Sequence, residues 1–582
     1  MNQQRTTIHR AHMLWGFLAI CGLLFGVRLF YLQVLRHDYY ETQAVAEHQK
    51  KFVLPAKRGL IYAHDRTGIT PLVLNQPVFL LYADPRYVRD PKATAETIAH
   101  YVGGDISEYQ KLLSQSDHSY VVLAKKITKN QADGITKAQL YGVGLTQSEE
   151  RVYPEGELGA QMLGFVNDEG VGQYGLEGAL DDRLHGTDGL LKAVTDVRGI
   201  PLSITNQNVM KPAQDGANVV LSVDRNVQGY AEQALKAGLD KVHATKGSAL
   251  VMDPQTGEVI AMANYPTYDP SKYTDVKDYS VFQNKTVSDP YEAGSDIKVL
   301  TMSAGINENV VHKTTQFDNR NQVQVGDATI HNVEQHTGPT TMQQVLDLSL
   351  NTGVVFVLQQ LGGGSINYQA RQKFFHYFTD KFGFGKKTGI EQAGEAPGYI
   401  FSPDDEQGNN VRYANMTFGQ GMTESMIQVA SAFSSVINGG TYYQPHLVSG
   451  TYNADTEQVT KELPKVERSG VVTAATSAEI RDMIITALRD TPALKAANRA
   501  GYNIGGKTGT SQIIDPKTGQ YSDNNAIGTY VGFGGNETPK YVIMVRVDDS
   551  QAGGYAGSAA AAPIFADISN WLLDYYKIPP VK

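Results

Sequence analysis

An apolar segment near the N-terminus constrains this chain more than any other feature. Residues 13–35 read MLWGFLAICGLLFGVRLFYLQVL, and Arg28 is the only charged side chain among them. About 20 apolar residues span the hydrocarbon core of a bilayer as a helix, and an arginine near one end can reach the interface. The segment has no polar face, which argues against a buried helix of a globular domain. We therefore expect one membrane-spanning helix over residues 13–35, preceded by a tail of residues 1–12.

The residues that flank this segment argue against a cleaved signal peptide. No pair of small residues ends the apolar run, because Leu29, Phe30 and Tyr31 continue it. A signal-peptide cleavage site needs small residues at that place. Basic residues before the run (Arg5 and Arg10) do not outnumber those within and after it, so the positive-inside rule leaves the orientation open. We predict an uncleaved anchor.

The length and charge of the chain limit the classes of protein to which it can belong. With 582 residues the chain exceeds one ordinary domain, so two or three domains are expected. A net charge of −9 argues against nucleic acid as a partner, because phosphate binding needs clustered positive charge. Cys21 is the single cysteine, which excludes an internal disulfide and a cysteine-based zinc site. We predict no metal and no cofactor.

The pattern of glycines, prolines and apolar runs predicts an α+β architecture after the anchor. Residues 36–215 contain short apolar runs between glycines and prolines, which indicates a strand-rich module. In residues 216–582, the two apolar runs within 247–266 enclose Asp-Pro-Gln-Thr-Gly and predict a β-hairpin. Residues 526–535 and 541–549 predict two more strands, and a closing helix follows with Pro563 in its first turn. We expect an antiparallel sheet covered by helices.

The stretch EAGSDIKVL contains the one Ser-x-x-Lys motif of the chain, formed by Ser295 and Lys298. Residues three apart share a helix face, so the hydroxyl and the amine meet if a helix starts at Ser295. A serine becomes a nucleophile only with an adjacent base, and a lysine becomes a base only when its pKa is lowered. The alternative is that Ser295 is an ordinary N-cap, which is a common role for serine.

Serine acylating enzymes combine Ser-x-x-Lys with Ser-x-Asn and Lys-Thr-Gly, and here both partner motifs occur three times. Ser349-Leu-Asn351 is predicted at a junction between two helices. Lys507-Thr508-Gly509 precedes two strong strands, where an edge strand lets a substrate backbone approach. The remaining copies are predicted in loops or connections; they begin at Ser365, Ser522, Lys387 and Lys517. We select Ser295, Lys298, Ser349, Asn351 and Lys507.

Longer segments carry a more specific resemblance over nearly the whole chain. They include RGLIYAHDRTG, RVYPEGELGAQMLGFV, YGLEGALDDRLHG, DPQTGEVIAMANYP, FGFGKKTG, FGQGMTESMIQVASAFSSVINGG and GGKTGTSQ. With these segments the chain resembles a class B penicillin-binding protein, a membrane-anchored peptidoglycan D,D-transpeptidase. The resemblance implies the transpeptidase fold for residues 216–582 and a pedestal or dimerisation-type module for residues 36–215. It also implies a single-pass protein of the cytoplasmic (inner) membrane, with the catalytic domain outside.

The same resemblance implies a role for each selected residue. Ser295 is expected to attack the penultimate D-alanine carbonyl of a stem peptide, and Lys298 to accept its proton. Ser349 and Asn351 are expected to relay a proton and hold the peptide, and Lys507 to place a positive charge near the substrate carboxylate. The backbone N–H groups of Ser295 and Thr510 are expected to bind the oxyanion. Thr508, Gly509 and Thr510 are expected to line the substrate strand.

Partners follow from the same resemblance. They are peptidoglycan stem peptides on lipid-linked glycan strands, β-lactams as covalent inhibitors, a membrane glycosyltransferase polymerase, and proteins of the division or elongation machinery. The segment TDVRGIPLSIT, residues 195–205, is similar to division-type members and favours a septal role over the lateral wall.

Two departures from the family pattern keep other functions open. Ala293 stands where the family commonly has proline, and Asp296 places a carboxylate where a hydroxyl or small residue is expected. Asp296 either favours the helix N-terminus or hinders Lys298. The alternatives are a β-lactam sensor or β-lactamase that shares the acylation motifs, and a division scaffold without activity.

Overall fold

The computed structural model describes residues 3–37, 49–194, 209–490, 494–514, 521–550 and 557–581. Its helices, in chain order, are α1 (Gln3–Phe30), α2 (Pro91–Val102), α3 (Ile106–Leu113), α4 (Lys129–Lys137), α5 (Ala160–Leu163), α6 (Gly175–Ala179), α7 (Asp181–His185), α8 (Arg225–Lys241), α9 (Lys285–Ser288), α10 (Ile297–Asn307), α11 (Met342–Asp347), α12 (Asn351–Leu361), α13 (Tyr368–His376), α14 (Asn410–Met416), α15 (Met426–Ile437), α16 (Ala474–Asp490) and α17 (Ala562–Tyr575).

The strands alternate with these helices, as expected for an α+β chain. They are β1 (Gln49–Leu54), β2 (Ile61–His64), β3 (Ile69–Ala83), β4 (Val121–Ile127), β5 (Val143–Val152), β6 (Phe165–Val166), β7 (Gly172–Gln173), β8 (Gly189–Val194), β9 (Val209–Lys211), β10 (Asn218–Asp224), β11 (Lys246–Met252), β12 (Val259–Tyr265), β13 (Gln316–Asn319), β14 (Gln322–Val325), β15 (Ala328–His331), β16 (Gly338–Thr341), β17 (Thr441–Tyr443), β18 (Val448–Asn453), β19 (Gln458–Lys461), β20 (Val466–Ser469), β21 (Gly505–Ile514), β22 (Tyr521–Gly535) and β23 (Pro539–Asp548).

The chain divides into two compact units. The first comprises Met1–Arg58 and His185–Gly216, and it contains α1 and the three-stranded sheet β1-β8-β9. An apolar helical segment of mean hydropathy 2.0 runs from His12 to Leu35 in this unit, and its side chains face outward rather than into a protein core. This finding fits the predicted single-pass anchor, because a helix long and apolar enough to cross a bilayer lies where the sequence placed it.

The second unit comprises Gly59–Leu184 and Ala217–Lys582. In it, β2 pairs in parallel with β10, so the strands on either side of the expected boundary at residue 215 share one sheet. That sheet has the order β19-β18-β10-β2-β3-β4, and β5 pairs with β3. The two compact units therefore differ from the module limits expected from the sequence, and the role of residues 36–215 as a module stays a prediction.

A five-stranded sheet with the order β12-β11-β23-β22-β21 forms the centre of the catalytic part. All its pairings are antiparallel, and they include the predicted 247–266 hairpin as β11 and β12. Both faces of β23 are covered: Val542 and Met544 pack in one hydrophobic cluster, while Ile543 and Val545 pack in another. Helices α8 and α17 contribute to the second cluster, and α10 and α15 to the first. The predicted antiparallel sheet covered by helices is confirmed.

Local sequence explains where several of the helices begin. The Asp224 side chain accepts hydrogen bonds from Asn226 N and Val227 N at the start of α8. Thr341 with Gln344 forms a capping box at α11. Helix α17 begins at Ala562 with a proline in its first turn, as predicted, because that position needs no backbone N–H.

Candidate active site

Ser295 lies in a single 3-10 turn, Gly294–Asp296, that leads directly into α10. The regular helix therefore begins two residues later than a start at Ser295 would give. Ser295 is inside the turn and partly exposed, and Ala293 holds the preceding cap position without a side-chain cap bond. The N-cap interpretation is wrong for Ser295, because capping residues have extended backbone before the first turn.

Lys298 is the buried amine of the site. Its side chain is 1% exposed, and its Nζ donates hydrogen bonds to Ser349 O at 2.6 Å and to Ser349 Oγ at 3.1 Å. Burial lowers the pKa of Lys298 well below its ordinary value, and the positive charge of Lys507 lowers that pKa further. Both effects penalise the ammonium form and favour a neutral amine.

Ser349 lies at the predicted junction between two helices, α11 and α12. It has a left-handed backbone with φ of 54°, which is uncommon for a residue with a side chain. In this conformation both the carbonyl and the hydroxyl of Ser349 accept hydrogen bonds from Lys298, which lies 51 residues earlier in the sequence. Asn351 opens α12, and its Nδ2 donates to His331 O at 2.9 Å. The structure brings Ser349 into contact with Lys298 and ties the Asn351 amide to the backbone of β15.

Lys507 lies on β21, which is the edge strand of the five-stranded sheet, as predicted. Its side chain is 5% exposed, and its Nζ donates to Thr508 O at 3.1 Å and Thr508 Oγ1 at 3.3 Å. Burial lowers the pKa of Lys507 to about 8, while the negative charges of Asp296 and Glu334 act in the opposite direction. Lys507 is thus a second buried amine that interacts electrostatically with Lys298.

The turn that contains the serine packs directly against β21. Gly294 has φ of 61°, and a Cβ at this position would lie 2.6 Å from Thr510 O. A Cβ at Gly509 would lie 2.6 Å from Ala293 O and 2.9 Å from Asp296 Cγ. Real side chains do not tolerate such contacts, so these two glycines let the backbones of the turn and the strand approach each other. This close approach places the turn that contains Ser295 beside Thr510. Ser295 and Thr510 are the two residues expected to supply the N–H groups for the oxyanion.

The other copies of the partner motifs lie elsewhere in the fold. Lys387 is exposed, in a segment without a strand. Ser365 is exposed, and Asn367 of the same motif caps α13 by accepting from Ala370 N at 2.9 Å. Ser522 falls within β22, so the predicted exposed loop at this position is wrong: the strand begins at Tyr521 and pairs with β21. Lys517 lies outside the described residues.

Two buried ionisable residues, Glu424 and Arg546, hold the segment before Ser295, and the sequence reasoning missed both. Glu424 Oε1 accepts from Ala293 N at 3.0 Å, a bond that a proline at position 293 would lack. Arg546 Nη2 donates to Asp289 Oδ2 at 2.9 Å, and its Nε donates to Asp548 Oδ1 at 2.7 Å. The sequence does contain a signal for Arg546, which is the lone arginine inside the apolar run YVIMVRV. An unpaired charge is costly in a buried strand, so such an arginine indicates an acidic partner.

Family models match both parts of the chain. The model for the penicillin-binding protein transpeptidase domain matches residues 247–570, more than half of the chain, and the model for the penicillin-binding protein dimerisation domain matches residues 53–221. Both matched ranges agree with the resemblance that the motifs indicated.

Relatives of known name are similar over almost the full length. Stage V sporulation protein D of Bacillus subtilis is 30% identical, over 97% of this chain and 85% of that protein. The probable peptidoglycan D,D-transpeptidase PbpC of Pseudomonas aeruginosa is 29% identical, over 100% of this chain and 97% of that protein.

A solved structure has the same fold. The crystal structure of penicillin-binding protein 3 from Mycobacterium tuberculosis, complexed with aztreonam, matches with a TM-score of 0.69 and 26% identity. The match covers 91% of this chain and 98% of that one. Family models, relatives and fold agree with the motifs. The chain belongs to the class B penicillin-binding proteins and is a serine-type peptidoglycan D,D-transpeptidase.

Proposed function

We propose that Ser295 is the acylated nucleophile of this transpeptidase and that Lys298 is its general base. The observation that carries the proposal is the pair of hydrogen bonds from Lys298 Nζ to Ser349 O and Oγ. A neutral amine has two N–H groups and one lone pair. When Ser349 takes both N–H groups, the lone pair is left to accept the proton of the Ser295 hydroxyl, which is what a general base must do.

The reaction then proceeds in two acyl-transfer steps. Ser295 Oγ forms a bond to the penultimate D-alanine carbonyl carbon, and its proton passes to Lys298. The C–N bond to the terminal D-alanine breaks, and the proton returns through Lys298 and Ser349 to the leaving amine. An amine of a second stem peptide then forms a bond to the ester carbon, the C–O bond to Ser295 breaks, and the proton lost by the amine returns to Ser295 Oγ through Lys298. Each step is easier than a direct exchange, which is the advantage of a covalent intermediate.

The edge strand and the second lysine serve binding in this proposal. An extended stem peptide adds to the open edge of β21, along Thr508, Gly509 and Thr510. The backbone N–H groups of Ser295 and Thr510 hold the developing oxyanion. Lys507 supplies positive charge for the terminal carboxylate. Asn351 contacts the peptide after its amide exchanges the carbonyl of His331 for the substrate.

A penicillin-labelling experiment tests the assignment of Ser295. Full-length protein in detergent is incubated with a fluorescent penicillin, with Ser295→Ala and the exposed Ser365→Ala as matched variants. We expect stable labelling of the parent and of Ser365→Ala, and none of Ser295→Ala. Formation of cross-linked dimers from lipid-linked glycan strands then separates a transpeptidase from a β-lactam sensor. Rapid release of the label would indicate a β-lactamase, and an unlabelled folded parent would indicate a scaffold.

We propose that residues 1–12 are cytoplasmic, that residues 13–35 anchor the protein in the inner membrane, and that the catalytic domain lies outside. The support is the outward-facing apolar helix His12–Leu35 together with a substrate that is cross-linked outside the membrane. Protease added to intact spheroplasts is expected to digest the catalytic domain. Protection of that domain would contradict this orientation.

We propose further that residues 36–215 act as a pedestal and that the protein works in septal synthesis with a membrane glycosyltransferase. The segment 195–205, whose similarity favoured the septal role, lies outside the described residues. A fluorescent fusion is expected to accumulate at mid-cell, and uniform labelling of the lateral wall would contradict the septal role. In the full-length protein, a photo-cross-linking residue in place of exposed Tyr87 or Tyr120 is expected to capture a polymerase, and the absence of a cross-linked product at both positions would contradict the pedestal role.

A further inference from the structure

Asp296, the residue after the proposed nucleophile, is buried in a way that sets it apart from an ordinary turn residue. Its side chain is 1% exposed, and neither carboxylate oxygen has a hydrogen-bond partner among the described residues. Thr529 Oγ1 is also buried and unpartnered in the same part of the chain. A Cβ placed on Gly509 would collide with Thr529 Oγ1 and lie 2.9 Å from Asp296 Cγ. The carboxyl and the hydroxyl therefore border the same narrow space beside β21.

The register of the sheet places this carboxyl on the face that carries Lys507. Gly509 is directly opposite Thr529, and Lys507 is directly opposite Val531. Residues two apart on a strand point to the same face and are separated by about 7 Å. Because Asp296 lies against Gly509 on that face, its carboxyl is one step along the strand from the Lys507 side chain.

Apart from Lys507, the titratable groups whose pKa values Asp296 shifts are acids. Tyr291 lies in the same segment, Glu424 precedes α15, and Tyr530 is on β22; each has its pKa raised, first by burial and further by the charge of Asp296. Burial raises the pKa of Asp296 itself to about 7, and the nearby Thr529 hydroxyl and then the positive charge of Lys507 act against that rise. Lys507 is thus the basic group that, together with the Thr529 hydroxyl, offsets an otherwise unfavourable buried carboxylate.

We propose that Asp296 is a positioning residue that keeps Lys507 protonated in the working enzyme. The proposal rests on the roles of Ser295, Lys298 and Lys507 given above. Two buried amines of one site must differ in charge, because the base has to be neutral while the carboxylate-binding lysine has to be positive. A carboxylate beside one amine stabilises the protonated form of that amine, so the two amines can carry different charges at the same pH. The departure of Asp296 from the family pattern then supports catalysis through Lys507 rather than hindering Lys298.

The direction of the effect follows from the charges. Lys507, with a pKa of about 8, also feels the repulsion of Lys298 and the attraction of Glu334. Removal of the Asp296 charge leaves Lys507 more easily deprotonated. The rate of acylation should then begin to fall at a lower pH, by about one to two pH units for charges about 7 Å apart at an effective dielectric constant near 20.

The test compares the pH dependence of Ser295 acylation by fluorescent penicillin, between pH 6 and pH 10, for the full-length protein and its variants. Asp296→Asn and Asp296→Ser both remove the charge, so the outcome does not depend on one variant folding well. Glu334→Gln is the matched control, since it removes a carboxylate that also acts on Lys507 but is exposed and screened by solvent. Thermal melting confirms that each variant is folded.

The alkaline limb is the part of the pH profile in which the acylation rate falls with rising pH. In both Asp296 variants we expect this limb to shift to lower pH by about one pH unit or more, with roughly a tenfold loss of rate at pH 9. The limb of Glu334→Gln is expected to stay within about 0.3 pH unit of the parent. A uniform loss of rate at all pH values with an unmoved limb would assign a packing role to Asp296 and overturn the proposal. Failure of the parent to label would instead refute the proposed function.

Discussion

Replacement of Lys298 by methionine separates catalysis from stability at this site. Methionine has a similar length and no proton-accepting group. The change removes the two hydrogen bonds to Ser349 and an amine that is 1% exposed. If Lys298 is the general base, the rate of acylation should fall much more than the stability of the protein.

The structure sets the size of both effects. A positioned general base contributes about 10²- to 10⁴-fold, which corresponds to roughly 3–5 kcal/mol of activation free energy. The two lost hydrogen bonds cost about 1 kcal/mol each. Relief from burying the amine offsets part of this cost, so the free energy of unfolding should change by less than about 2 kcal/mol. The melting temperature should then shift by only a few degrees.

The assay is stopped-flow acylation by a fluorescent penicillin together with differential scanning calorimetry. Lys387→Met is the matched control, because Lys387 is an exposed lysine of an unused Lys-Thr-Gly copy. We expect the control to acylate like the parent. Acylation of Lys298→Met within tenfold of the parent would refute the assignment of the base, and a loss of more than about 5 kcal/mol in stability would refute the energy argument.

The pH profile gives an independent check of the same assignment. Burial and Lys507 lower the pKa of Lys298, so in the parent the rate should rise with pH as this amine loses its proton. Lys507 has a pKa of about 8, so the rate should fall above that pH as its positive charge is lost. In Lys298→Met only the falling limb should remain. A rising limb that persists would place the base elsewhere.

Three further substitutions test the surroundings of Ser295. Gly294→Ala should lower the free energy of unfolding by about 2–5 kcal/mol in denaturant titration, because φ is 61° and the new Cβ would lie 2.6 Å from Thr510 O; an unchanged midpoint would contradict this packing. Ala293→Pro fits the observed φ of −73° but removes the N–H donated to buried Glu424, so calorimetry should show a loss of about 1–3 kcal/mol rather than the gain typical of proline. Lys507→Ala should reduce penicillin acylation at least about 100-fold, and near-parental labelling would exclude it as the positive group of the site.

Local patterns in the sequence were sufficient for the elements that frame the site. The hairpin β11–β12 was predicted from two apolar runs around a turn, and its pairing is confirmed. The edge position of Lys507 followed from glycines before two apolar strands, and β21 is indeed the outer strand. The junction at Ser349 followed from helical spacing on both sides. Each of these features depends on neighbours within a few residues, which is the range over which sequence periodicity acts.

Predictions failed where distant contacts override local preference. The turn-rich residues around Ser522 read as a loop, yet β22 begins at Tyr521 because pairing with β21 supplies its hydrogen bonds. The alternative that Ser295 is an ordinary helix cap fails for the same reason, because Ser295 lies inside a 3-10 turn that packs against the backbone of Thr510. Local propensity is a weak guide when a segment is held by packing from elsewhere in the chain.

The sequence by itself determined the family, the apolar anchor segment, the antiparallel sheet with its helices, and the set of chemical groups from which the site is built. Only the tertiary structure decided what those groups do to one another. The pKa of Lys298 is lowered because the fold buries this amine and brings the positive charge of Lys507 near it from a distant part of the sequence. Asp296 becomes a partner of Lys507 because both are buried on one face of β21. Charge state depends on burial and on neighbours that are distant in sequence, and these are properties of the folded chain.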